Sequence, residues 1–405
     1  MRTKKKRTLG LYLHIPFCVR KCNYCDFLSF SSNEETKEQY VQALCKEIAS
    51  FQKKQTDYVV TTIFFGGGTP SLLTVEQIQR IMKVIQESFF VHETAEITIE
   101  MNPGTVTTEK LIGYKQSGIN RLSIGLQTTD DERLKVLGRI HTYEQFLNNY
   151  NTAREVGFDN ISIDLMSALP KEDLLSYQKD VETILALEPE HISSYSLIIE
   201  EGTPFYDDEE ILNLLPEEEE DRAMYELTER LLTEAGYHRY EISNYAKEGK
   251  ESRHNCIYWT GGEYLGLGLG ASSYILQDSS LLLEEEREML PSSAESLRFR
   301  NTDSLQSYVN NSARSVLQRE ELSYQTKKDR IEETMFLGLR MINGVNQHEF
   351  FEMFGVEIET LYGEVIQKFI QLGVLQWKEE QLCFTKKGLD VSNSILCEFL
   401  LEDER

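Results

Sequence analysis

Three cysteines fall within eight positions near the start of the chain, in His14-Ile-Pro-Phe-Cys18-Val-Arg-Lys-Cys22-Asn-Tyr-Cys25. Three thiolates on one tight loop can bind three corners of an iron–sulfur cube and leave the fourth iron open. A structural zinc site needs four ligands, so that reading would recruit His14 or a distant residue. Zinc pairs more often come as C-x2-C with a second pair far away. Exposed thiols without a ligand are the third reading. Downstream stand Gly66-Gly67-Gly68-Thr69-Pro70, then Glu100, Gln127, Arg139 and Asp164. A bare glycine triplet is either a tight turn or a place where backbone approaches a ligand closely, with N–H and C=O groups unshielded. Each of the other four, taken alone, is an ordinary polar residue.

The elements that must position these residues give them meaning. Short β-branched runs at 11–14, 61–65, 96–101, 121–126, 160–165 and 191–197 alternate with helical patterns at 37–51, 75–90, 108–117, 143–156 and 174–187. A further helix at 217–235 follows the last strand. Near-continuous apolar strands predict a sheet covered on both faces. Six β-then-α units predict an α/β fold with a parallel sheet and right-handed crossovers. Periodicity leaves open whether that sheet is doubly wound or a full or partial barrel. In a parallel β/α barrel, ligands meet the C-terminal strand ends. Tyr12 lies in the first strand, Gly67, Gly68 and Thr69 close the second, and Glu100 the third. Gln127 closes the fourth, Arg139 follows it, and Asp164 closes the fifth.

Residues 277–297 read as a linker, with Asp-Ser-Ser, the acidic run 284–288 and Pro-Ser-Ser. Residues 1–276 then form the first domain. Residues 298–405 form a second, in which helices at 302–311, 328–342, 347–354 and 358–372 precede a short hairpin (374–378 and 382–385) and a last helix from 387. That order resembles a winged helix.

The chain has 405 residues and a formal charge of −25. Such a balance argues against a protein that grips nucleic acid through phosphates. No apolar run is long enough to span a membrane, which leaves only transient membrane association open. The basic start is not followed by a signal-peptide core, and the cysteine motif begins too early for a transit peptide. Seven cysteines, three of them clustered, are the cysteine usage of a reducing compartment, so the expected location is cytoplasmic.

The C-x3-C-x2-C loop after a first strand resembles the radical S-adenosylmethionine (radical SAM) superfamily. The resemblance implies a partial (β/α)6 barrel, a [4Fe-4S] cluster on Cys18, Cys22 and Cys25, and SAM chelated to the open iron. Carbonyls of the glycine turn would then accept from the SAM ammonium. Glu100, Gln127, Arg139 and Asp164 match SAM-contact positions, a carboxylate suiting ribose hydroxyls and an arginine the SAM carboxylate. Leu11-Tyr-Leu-His-Ile-Pro-Phe-Cys18, Gly66-Gly-Gly-Thr-Pro70 and Gly118-Ile-Asn-Arg-Leu-Ser-Ile-Gly125 resemble the oxygen-independent coproporphyrinogen III oxidases. Two features point to a sister type. Phe27 stands where those oxidases carry a fourth cysteine, and the oxidases' N-terminal extension is missing. His254-Asn-Cys-Ile-Tyr258-Trp259 carries the H-N-x-x-Y-W mark of the HemW-type haem chaperones, and Gly266-Leu-Gly-Leu-Gly-Ala271 follows as in that type. The resemblance implies haem binding and transfer to an acceptor protein. The rivals are coproporphyrinogen III oxidation and, less in keeping with the charge, RNA modification.

Imidazole is a common axial haem ligand, and Tyr258 and Trp259 could pack a porphyrin face. The other reading makes His254 a structural histidine beside two packing aromatics. The run 240–245 is expected to form a strand that brings this segment near the barrel mouth, with Arg253 serving the haem propionates. Cys256 reads as filler, and Cys45, Cys383 and Cys397 as core residues in helical patterns.

Overall fold

The computed structural model describes residues 6–51, 57–311 and 319–401. The first five residues of the basic start, and the end of the expected last helix, lie outside these. Six strands open the fold: β1 (Arg7–Ile15), β2 (Tyr58–Gly67), β3 (Val91–Met101), β4 (Arg121–Gln127), β5 (Ile161–Ser167) and β6 (His191–Ser196). They pair in sequential order, all parallel. Sequential order decides between the two architectures left open by periodicity. Right-handed crossovers that never reverse direction put every helix on one side and curl the sheet around the other. The sheet stays open, so the fold is a partial barrel.

The crossover helices begin where the sequence can cap them. Asn33, Thr74, Thr107, Thr142 and Asp173 each accept from a backbone N–H of the first helical turn. Such caps free the strand end before each helix and stabilise each start by about 1 kcal/mol. Leu9, Leu11, Leu13 and Ile15 of β1 are fully buried, as are Leu122, Ile124 and Leu126 of β4.

The main sheet has twelve strands. Beyond β6 lie β7 (His238–Arg239) and β8 (Asn244–Ala246), so residues 240–243 connect two short strands and only 244 and 245 of the expected strand are in one. At the other edge β9 (Tyr264–Leu267) runs parallel to β1. It is followed by antiparallel β10 (Ser272–Leu276), β11 (Ala294–Asn301) and β12 (Arg319–Thr326).

This moves the expected boundary. The 277–297 stretch carries the helix Glu284–Met289 and the start of β11, and its Leu281, Leu282 and Leu297 belong to the main core. Tyr308 also packs there, hydrogen-bonded to buried Glu47 at 2.6 Å. A separate hydrophobic cluster starts at Ile331 and runs to Phe399. It is built from the helices Lys327–Gly338, Gln347–Phe354 and Ile358–Gln371 on a three-stranded antiparallel sheet, β13 (Val345–Asn346), β14 (Leu375–Lys378) and β15 (Gln381–Phe384). Charged and polar residues had disguised the start of β11 as linker and left β12 unread within the second domain, because their partners are other strands and the sequence pattern is local. Cys383 is a buried strand residue, and Cys397 is exposed. Among the described residues no helix is long and apolar enough to cross a membrane.

Candidate functional site

The turn after β2 is packed hard against the end of β1. Gly67 has φ +107°, and a Cβ there would sit 2.5 Å from the His14 ring. A Cβ on Gly68 would sit 2.8 Å from the Ile15 and Phe17 carbonyl oxygens. Only glycine fits either position. The N–H groups of this turn are already used. Gly67 donates to Glu100 Oε2 at 3.0 Å, Gly68 to the Ile15 carbonyl at 2.9 Å and Thr69 to the Phe17 carbonyl at 2.7 Å. A backbone contact from these three residues to a ligand must therefore come through a carbonyl.

The cysteine loop is held from two sides. Cys18 N–H donates to the Phe30 carbonyl at 3.0 Å, while Asn23 donates through its backbone to Leu137 and through its side chain to Val136. Thr69 Oγ1 lies 3.5 Å from Cys18 Sγ, and Arg139 Nη1 lies 3.6 Å from Cys22 Sγ. Arg139 Nη2 also donates to Asn102 Oδ1 at 2.6 Å and to the Gly125 carbonyl, and Asn102 Nδ2 donates to Thr69 Oγ1 at 2.8 Å. One polar chain thus ties the cysteine loop to β2, β3 and β4.

Cys18, Cys22, Cys25, Gly67, Gly68, Thr69, Glu100, Gln127, Arg139 and Asp164 all line one cavity of about 140 Å³. Gln127 adopts φ +79° beside a register shift in β4, a left-handed conformation that L residues hold only when their surroundings impose it. Burial, followed by the charge of Asp164, pushes the Glu100 carboxyl up to about 8. Burial raises Asp164 as well, partly offset by Ser193, Arg121 and Ser123. Burial likewise raises the Cys25 thiol. Two carboxyls penalised for being charged, together with an Arg139 whose Nε has no partner, suit a ligand that brings both a cation and a carboxylate. Three free thiols around that cavity suit a cluster. His14 is not available as a zinc ligand, because its Nδ1 meets Tyr12 Oη at 3.0 Å and its Nε2 the Leu28 carbonyl at 2.9 Å.

Tyr12 stands apart from this group. It lines a second, inner cavity of about 200 Å³ with Phe64, Arg121, His254, Asn255 and Tyr258. Glu100, Ser123 and Asp164 are walls of both cavities. His254 is 1% exposed on the helix Arg253–Trp259. Its Nδ1 meets Thr62 Oγ1 at 2.8 Å and its Nε2 meets Tyr258 Oη at 2.9 Å. Its ring stacks on Phe64 and Tyr12. Burial, with the charge of Arg121, lowers its pKa to about 3. Both nitrogens of the expected haem ligand are thus engaged within the protein.

Trp259 is covered by the Arg340 guanidinium, and Arg253 donates to the Thr94 carbonyl at 2.8 Å instead of facing the cavity. Burial pushes the Cys256 thiol up to about 12, in keeping with a filler. Sequence reasoning missed Asn102 and Arg121. The first could have been found from its place two residues after Glu100. The second opens the all-buried strand β4, an unusual place for a cation.

A partial barrel with a three-cysteine loop at the C-terminal strand ends defines a radical SAM protein, and residues 12–184 match the Radical SAM superfamily model. Residues 325–391 match the HemN C-terminal domain. The chain is 35% identical over 393 residues to heme chaperone HemW of Bacillus subtilis, covering 96% of this chain and 99% of that one. It is also 35% identical to heme chaperone HemW of Lactococcus lactis, with 97% of each covered. Its identity to the mitochondrial radical S-adenosyl methionine domain-containing protein 1 of Danio rerio is 31%, over 98% of this chain and 87% of the other. The chain belongs to the HemW family. The solved coproporphyrinogen III oxidase HemN of Escherichia coli shares the fold, with a TM-score of 0.80 over 98% of this chain and 91% of that one at 23% identity.

Proposed function

We propose that this protein is a haem chaperone that binds haem beside a [4Fe-4S] cluster and passes it to an acceptor protein. Cys18, Cys22 and Cys25 would hold the cluster, whose open iron would anchor SAM. The observation that carries this reading is the convergence of the three cysteines with Gly67, Gly68, Thr69, Glu100, Gln127, Arg139 and Asp164 on one cavity. The names of the full-length relatives supply the haem.

When bound, the cluster supplies one-electron chemistry and a chelation point for SAM. The chain's own residues do the positioning. Arg139, braced by Asn102 and the Gly125 carbonyl, presents a planar fork to a carboxylate. Glu100, accepting from Gly67, offers its other oxygen to a hydroxyl or ammonium. Asp164 is steadied by Ser123 at 3.3 Å.

His254 and Tyr12 would line the inner cavity that an edge of the haem enters. Iron ligation through His254 Nε2 requires Tyr258 to release that nitrogen. Phe27 stands where the oxidases carry a further cysteine, and porphyrinogen decarboxylation is not the reading favoured.

The test is anaerobic reconstitution followed by haem titration and a coproporphyrinogen assay on one sample. About four irons per chain, a haem-dependent Soret shift and no protoporphyrinogen are expected. Turnover of coproporphyrinogen above a cluster-free control would replace this reading with the oxidase one.

A further inference from the structure

Most buried or half-buried arginines of this molecule have a carboxylate partner. Arg319 pairs with Glu286, Arg7 with Glu263, Arg154 with Glu190 at 2.8 Å and Arg133 with Glu172 at 3.8 Å. Arg121 does not. It is 2% exposed and the largest of the fully buried side chains, and its Nε has no hydrogen-bond partner among the described residues. It sits on β4, in the wall of the inner cavity. A buried donor left without an acceptor costs about 1–3 kcal/mol, and in Arg121 the open Nε coincides with the lack of a carboxylate partner.

The surroundings indicate what it awaits. Asn255 and Tyr195 also face the cavity and can donate to an anion, while the hydroxyls of Ser123, Ser193 and Tyr258 that face it are shared with Asp164 and His254. Phe64, His254 and Tyr12 form a stacked aromatic wall beside it. The two nearby carboxyls feel the charge of Arg121, which lowers both, but burial outweighs it and neither forms an ion pair with Arg121. A volume of about 200 Å³ is too small for a whole tetrapyrrole, because sites that enclose a complete small ligand span roughly 300–1,000 Å³. It has room for a carboxylate arm. The shared walls Glu100, Ser123 and Asp164 connect it to the cysteine cavity.

We propose that the inner cavity is a carboxylate subsite in which Arg121 receives a propionate arm of haem. This rests on the haem reading above and names the anchor that Arg253 does not supply.

The test is a titration of the reconstituted protein with haem and with haem dimethyl ester, in wild type and in Arg121→Gln, read at the Soret band. SAM binding and thermal unfolding are followed on the same samples. Wild type is expected to prefer the free acid by about tenfold to a hundredfold, the span of a charge-assisted hydrogen bond. Arg121→Gln is expected to lose that preference while keeping its SAM affinity. If Arg121→Gln does not fold, Arg121→Lys, which keeps the charge but not the planar fork, is expected to retain part of the preference. Equal binding of acid and ester by wild type overturns the subsite and leaves the haem reading standing. A preference that survives in Arg121→Gln places the propionates elsewhere and also overturns it. Weakened SAM binding with unchanged haem binding would assign Arg121 to the SAM carboxylate. Failure of wild type to bind either haem form removes the haem reading itself.

Discussion

The two cavities that meet at Glu100, Ser123 and Asp164 are built in opposite ways. The cysteine cavity presents groups that are braced but unfinished: thiols outside any disulfide, carboxyls held up by burial, and an arginine fixed on one side by Asn102 and the Gly125 carbonyl. In the inner cavity the motif residue is finished and the unmarked residue is not. His254 has both nitrogens engaged, while Arg121 keeps an unpartnered Nε. The contrast teaches that a ligand-type residue inside a motif can be serving the packing. A strand residue with no motif of its own can carry the open valence. The reason is energetic. A buried imidazole with two good partners loses little by staying closed, whereas an unpaired buried cation gains from any anion that reaches it.

The largest effect should come from the cysteine side. Cys22→Ala is expected to abolish the cluster, seen as loss of essentially all iron and of the visible absorption after reconstitution. Cys256→Ser should leave both unchanged. Iron retained in the first and lost in the second would reverse the assignment of the two regions.

The next concerns the shared wall. Glu100 has its pKa raised in the folded state, so the native protein binds the extra proton between the ordinary carboxyl range and about pH 8. Stability without SAM should then fall as pH rises through that window, by on the order of 5 kcal/mol at most. Glu100→Gln keeps an acceptor for Gly67 and should flatten the slope, leaving the part due to Asp164. Thermal unfolding from pH 5 to 8 measures it, and an identical slope in both proteins would mean that Glu100 is not held neutral.

His254 behaves with the opposite sign. Its pKa is lowered to about 3, so the stability from keeping it neutral is present above its unfolded value and is lost as pH falls below about 6.5. His254→Ala removes partners from Thr62 and Tyr258 and opens a void, at a cost of about 2–4 kcal/mol. Denaturant unfolding checks this. A variant as stable as wild type would show that the closed imidazole is not part of the packing.

Arg139→Ala should weaken SAM binding by about 1.5–3 kcal/mol, measured by equilibrium dialysis on the reconstituted protein. The smallest change expected is in Tyr258→Phe. Freeing His254 Nε2 of its competitor should tighten haem about fivefold if that nitrogen ligates iron, since the hydrogen bond lost is worth about 1 kcal/mol. Unchanged affinity would leave His254 as wall alone.

Much of this molecule is legible in the sequence, because it is local. The six core strands and their crossover helices follow from apolar runs and from capping residues such as Asn33, Thr74 and Asp173. The cysteine spacing and the glycine turn narrow their chemistry without any fold, to a cluster, a zinc site or free thiols and to a tight turn or a close ligand approach. The strand-end rule then gathers Glu100, Gln127, Arg139 and Asp164 on one side. Three things needed the tertiary structure. The sheet continues through β9 to β12, because strand pairing is a contact between distant segments and leaves only a weak trace in either one. Gly67 and Gly68 turn out to spend their N–H groups on Glu100 and β1, which fixes the carbonyl as the face left to a ligand. The roles of His254 and Arg121 were decided by what lies across the cavity. Whether a polar group is satisfied depends on partners at Thr62, Tyr258 or nowhere, and no reading of neighbours along the chain can count those.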